Sequence, residues 1–217
     1  MSENLFYKGT LYFWELFQFG ICFLISNGVL LLLMFGFSWQ LALLPAYLLA
    51  LVLVIPALEA LFLAQRRWKQ QEFSHVFQLY YTSYRDIFRE GLILGSGYGL
   101  GFTILLVDLY FITTVFPYEG LFPFFTLLWL LLGIHLIYTL LIRVKLIMTL
   151  KDTIKLSCYL IIKAPITGLK FIGLLILSYL CWSWVPQFSV FLLIPFLTHL
   201  LLILTEKLFV DILKQFG

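Results

Sequence analysis

Four polar side chains stand inside long apolar runs of this 217-residue chain: Asn27, Asp108, His135 and His199. Ionisable groups in hydrocarbon are costly, so each is a functional candidate until it is explained otherwise. An imidazole can relay a proton, hold a ligand or join two helices; a carboxylate can hold a cation. Asn27, His135 and His199 each fall about eleven or twelve residues into their runs. Stacked side by side, those runs bring the three to similar depth. One reading is a ligand or ion site. The other is interhelical hydrogen bonding, which contributes about 0.6 kcal/mol per bond. Asp108 lies about 25 Å along its run at 1.5 Å per residue. It is expected either to reach water or to accept a hydrogen bond from Thr113 or a neighbouring span. Glu59, shortly before Arg66, is expected to pair with a basic residue.

Other chemistry finds little purchase. No HExxH, CxxC or carboxylate pair accompanies the histidines, so no catalytic, metal or cofactor site is expected and the chain reads as non-enzymatic. Cys22, Cys158 and Cys181 have no disulfide or zinc spacing and read as packing residues. The stretch GLILGSGYGLG holds Gly91, Gly95, Gly97, Gly99 and Gly101. A phosphate loop would need a preceding strand and a following Lys-Ser/Thr. Pairs such as Gly91/Gly95, Gly95/Gly99 and Gly97/Gly101 instead have the spacing for close helix contact. An unwound stretch, as transporters use near substrates, is the alternative.

The elements that position these residues are apolar helices. The chain is 63% hydrophobic and 12% charged, with mean hydropathy +1.04. Soluble domains carry about 25% charged residues, so a water-soluble globule is excluded. A membrane-crossing helix uses about 20 apolar residues, and six runs qualify: 15–37, 41–64, 91–115, 123–147, 168–185 and 188–204. The fold class is therefore an all-α polytopic membrane helix bundle forming one integral membrane domain over residues 1–217. Residues 168–204 are one apolar stretch, which makes five spans the alternative. Pro186, the flanking Trp182 and Trp184, and the later Lys207 and Lys214 favour a hairpin there.

Basic residues orient the runs. All fourteen Lys and Arg fall before the first run, after the last, or around the gaps following the second and fourth; the other gaps hold none. Lys and Arg near span ends are retained on the cytoplasmic side, so both termini are expected there, in a multi-pass protein of the cell membrane. Anionic headgroups account for the formal charge of +3, and nucleic acid is not an expected partner. No signal-peptide cleavage site follows the first run.

The two basic gaps are patterned. In 73–90, Phe73, Val76, Phe77, Tyr80, Tyr84, Ile87 and Phe88 recur at helical spacing opposite Arg85, Asp86 and Arg89, with Ser74 as the expected N-cap. In 148–164, Leu150, Ile154, Cys158 and Ile161 line one stripe and Lys151, Asp152, Lys155 and Ser157 the other; Pro165 follows at the start of the next span. Both segments are expected as cytoplasmic amphipathic helices in the headgroup plane. Arg66, Arg67, Lys69, Arg85, Arg89, Lys151 and Lys155 are then candidates for headgroup contact or for docking a partner.

Three stretches together resemble the YesL-like family of bacterial multi-pass membrane proteins, whose function is unknown. IPALEALFLAQRRWKQQEF is similar to its Pro-x-x-x-Ala segment running into a basic loop. FQLYYTSYRDIFREGLILG is similar to its aromatic-basic stretch, though Ile87 stands where the family commonly has Asn. IRVKLIMTLKDTIKLSCYLIIKAPITGL, with Lys155 and Pro165, is similar to its second cytoplasmic stretch. The resemblance covers most of residues 10–180 and implies an accessory role beside carbohydrate uptake, with a sugar transporter as partner. The resulting expectation is a non-enzymatic accessory or scaffold protein, in contact with the lipid bilayer and with a membrane-protein partner or copies of itself. The alternative is a small transporter or channel using Asn27, Asp108, His135 and His199.

Overall fold

The computed structural model describes residues 2–36, 43–70, 75–114, 120–146, 148–184 and 186–216, all of them helix or short connection. Among these residues the elements run α1 (Ser2–Ser26), α2 (Gly28–Gly36), α3 (Leu44–Gln70), α4 (Val76–Thr114), α5 (Phe122–Lys145), α6 (Leu150–Lys163), α7 (Pro165–Trp184), α8 (Pro186–Leu204) and α9 (Glu206–Phe216). No strand occurs among them. Among the described residues, five helices are long and apolar enough to cross a membrane, or six when the bent pair α6–α7 is counted as one span. The bundle is therefore all-α with the expected number of runs.

Each break has a local cause. Between α1 and α2, the Asn27 side chain donates to the Phe23 carbonyl and Ser26 to the Cys22 carbonyl, side-chain bonds that compete with the helical ladder. α6 is capped by Thr149, whose hydroxyl accepts from the Asp152 amide. Pro165 and Pro186 open α7 and α8, where a missing N–H costs nothing. The 168–204 stretch is thus two helices packed against each other. α7 leaves α6 at 92°.

α3 lies at the centre. It pairs with α4 over most of its length and also meets α1, α5 and α8. Phe19, Cys22 and Phe23 of α1 pack with Ala57, Ala60, Leu61 and Ala64 of α3 and Val76, Leu79 and Tyr80 of α4. A second core gathers Tyr138, Leu141 and Ile142 of α5 with Leu94, Tyr98, Leu160, Phe171, Leu201 and Phe209. Between α3 and α4 the glycines set the separation. A Cβ on Gly91 would lie 2.8 Å from the Pro56 Cβ, and one on Gly95 would collide with the Val52 carbonyl oxygen. Gly97 meets nothing, and Gly101 faces Leu132 of α5. The stretch is continuous helix, so close packing, not unwinding, explains Gly91 and Gly95.

The amphipathic segments differ from expectation in three ways. Residues 76–90 are not a separate surface helix; they are the first part of the 39-residue α4. Their buried face is Val76, Leu79, Tyr80 and Ser83, while Phe77 and Phe88 are exposed. In α6 the buried face is Thr153, Ser157 and Leu160, with Ile154 and Cys158 exposed. The expected Ser74 cap lies outside the described residues.

Candidate functional site

One end of the bundle collects charge. Arg67 and Lys69 stand in the last turn of α3, and Arg143 and Lys145 in the last turn of α5. Cations there complement the negative end of the helix dipole. This basic end is then tied together by polar contacts between helices. Arg143, 6% exposed, reaches Glu59, 2% exposed, at 2.5 Å and Glu90 of α4 at 2.7 Å. Arg66 donates to the Val144 carbonyl. Arg67 bonds Ser83 at 3.1 Å and Asp86 at 2.9 Å. Lys69 pairs with Glu206 of α9 at 2.9 Å. Lys145 donates to the Leu202 carbonyl and Thr205 hydroxyl and lies 4.9 Å from the centre of the Phe209 ring. Gln65, fully buried, donates to the Pro195 carbonyl and accepts from Thr198.

The expected pairing of Glu59 is therefore made, with Arg143. Of the seven basic candidates, Arg66 and Arg67 bond to neighbouring helices from part-buried positions, and Lys69 pairs with Glu206 at the surface. Arg85, Arg89, Lys151 and Lys155 are exposed.

Among the described residues no hydrogen bond or ring contact joins any two of the four polar candidates, and each has its own surroundings. Asn27 is buried at the α1–α2 break and serves its own helix. Asp108 is part-exposed towards the Thr114 end of α4. His199 packs edge-on against Tyr12 and Trp68 and is 8% exposed, with no partner for its Nδ1. It lines a cavity of about 350 Å³ at the basic end, between α3, α5, α8 and α9.

His135 forms a network that the sequence did not disclose. Its Nδ1 lies 2.5 Å from the Tyr98 hydroxyl. Its Nε2 lies 2.8 Å from the Ser157 hydroxyl and 3.2 Å from the Cys158 thiol. Thr139 closes the ring, 2.7 Å from Tyr98 and 3.1 Å from Ser157. The Ser157 proton can go to the Ile154 carbonyl or to His135, and the imidazole tautomer adjusts; both ring nitrogens are satisfied either way. A hydroxyl beside an imidazole is also the nucleophile–base arrangement. Ser157 is 0% exposed, however, which closes it to a substrate in this conformation, and the network acts as a latch holding α6 on α5. A His135→Phe variant leaves Tyr98 and Ser157 short of partners. It should lower unfolding free energy by about 1–3 kcal/mol, measured by denaturation in mild detergent.

No group of three or more His, Cys, Asp or Glu among the described residues is placed to hold a metal ion. What the residues define is a class: an all-α bundle of helices able to cross a membrane, compatible with a multi-pass membrane protein, locked at one end by ion pairs. Within that class, residues 13–109 match the family described as protein of unknown function, DUF624. The match covers most of α1, all of α2 and α3, and most of α4, the helices that carry Glu59, Arg66, Arg67 and the close-packed glycines. No curated protein and no solved structure matches the chain.

Proposed function

We propose that this chain is a non-enzymatic accessory or scaffold protein of the cell membrane. Its basic end faces the cytoplasm, and it docks a membrane-protein partner there. The observation that supports this reading is the division of the basic residues. Arg66, Arg67, Arg143 and Lys145 are used in contacts between helices, and Lys69 pairs with Glu206 at an exposed rim. Arg85 and Arg89 on α4, and Lys151 and Lys155 on α6, are exposed. They sit on helices fixed by buried Tyr80 and Ser83 on one side and by Ser157 and His135 on the other. Charges presented from rigid elements suit recognition better than charges on loops. The alternative, a small transporter or channel using Asn27, Asp108, His135 and His199, has no direct contact between those four residues behind it among the described residues.

A carbohydrate importer is the partner that the family resemblance nominates. Affinity purification of the full chain in mild detergent is expected to retain a defined membrane transporter. Repeated recovery of the protein alone would count against the proposal.

A further inference from the structure

The cavity at the basic end has a composition that the docking proposal leaves unused. Gln65, Arg66 and Lys69 of α3, Lys145 of α5 and His199 of α8 form its polar wall, with Glu206 at the start of α9. Leu202, Ile203, Phe209 and Val210 form an apolar wall opposite. Arg66, Lys69 and Lys145 against Glu206 leave two uncompensated positive charges on the lining, since 3 − 1 = 2.

Those cations retain donors. A guanidinium has five N–H donors, and the structure assigns one of Arg66's to the Val144 carbonyl. An ammonium has three donors, and Lys145 uses two, on the Leu202 carbonyl and Thr205. Lys69 pairs with Glu206 on the outer rim, where both side chains are more than half exposed. His199 also lines the cavity, with its unpartnered Nδ1 itself closed to solvent.

We propose that this cavity binds the phosphate group of an anionic ligand. Phosphate offers several oxygens to donors arriving from α3, α5 and α8, and arginine forks are shaped for it. The apolar wall suits a ligand whose phosphate is attached to carbon. Basic pockets between membrane helices take lipid headgroups in this way. The same chemistry is present in an anionic glycerophospholipid reaching in from the bilayer and in a soluble phosphate monoester, and the test separates the two.

Native mass spectrometry of the full chain in mild detergent reads the binding directly, with phosphatidylglycerol and phosphatidylcholine as probes and glycerol 1-phosphate as competitor. Phosphatidylglycerol should be retained at least about tenfold better than phosphatidylcholine, and Arg66→Gln should erase most of that preference. Lys69→Gln, at a half-exposed rim position, is the second variant should Arg66→Gln fail to fold. His199→Phe keeps the ring packing and should weaken the preference less. Lys170→Gln removes an exposed charge elsewhere and should change nothing.

Competition by glycerol 1-phosphate assigns the site to soluble phosphates; its failure to compete assigns the site to the lipid. Equal retention of the two lipids together with no binding of glycerol 1-phosphate would overturn the proposal. So would a preference unchanged in every folded cavity variant. Neither outcome bears on partner docking, which uses other residues.

Discussion

Arg143→Met is expected to destabilise the protein by about 3–5 kcal/mol, the usual consequence of leaving a buried charge without its partner. Glu59 is 2% exposed, Arg143 supplies its ion pair, and its Oε2 already lacks a hydrogen bond. The reverse change should cost less. In Glu59→Gln the guanidinium keeps Glu90 at 2.7 Å, and Glu90 is well exposed. The double variant Glu59→Met/Arg143→Met should be more stable than Arg143→Met alone, because replacing a whole buried pair with apolar side chains is often close to neutral. Denaturation in detergent would show this order. A double variant no better than Arg143→Met would mean that the pair is not the source of the loss.

Gly95→Ala should destabilise by about 1–3 kcal/mol, the range for overpacking a tight interface. The added methyl meets the Val52 carbonyl oxygen, a backbone atom that cannot turn aside, so α3 and α4 must separate. Their contact is the most extensive in the bundle, and the two core groups flank it. Gly97→Ala is the matched comparison, two residues along the same helix with nothing within 4 Å. It should be neutral or slightly stabilising, by about 0.5–1 kcal/mol, because alanine orders less chain entropy into the helix. Thermal unfolding of the two variants side by side distinguishes a packing contact from a general intolerance of alanine. Equal effects at Gly95 and Gly97 would contradict the interface described.

The sequence disclosed the helices because apolar length and proline position are local properties. Pro165 and Pro186 mark the starts of α7 and α8, and the runs around Leu44–Gln70 and Phe122–Lys145 agree with the helices to within a few residues. What the sequence could not supply is the direction in which a side chain points around its helix. Asn27, His135 and His199 fall at similar places in their apolar runs yet meet different neighbours: a backbone carbonyl, Tyr98 with Ser157, and Tyr12 with Trp68, the last beside the basic end.

The α6 face failed for a related reason. Hydrophobic periodicity seeks an apolar stripe, but this helix buries Thr153 and Ser157, polar residues that meet a polar partner. The break expected near Gly91 is a change of chemistry, from amphipathic to apolar, through which the α4 backbone continues. One signal was available in advance. Glu59 and Arg143, each near the basic end of an apolar run, are opposite charges that would be costly apart.

Arg66, Arg67, Arg143 and Lys145 tie helices to one another, whereas Arg85, Arg89, Lys151 and Lys155 are exposed and available to dock a partner. The direct test is charge reversal of the exposed set, Arg85→Glu, Arg89→Glu, Lys151→Glu and Lys155→Glu combined, followed by partner retention in mild detergent and thermal unfolding of the same sample. The co-purified transporter should be lost while the unfolding temperature stays within a few degrees of wild type, as for exposed substitutions worth about 0.5 kcal/mol or less each. Undiminished retention of the partner by the folded variant would contradict that docking role.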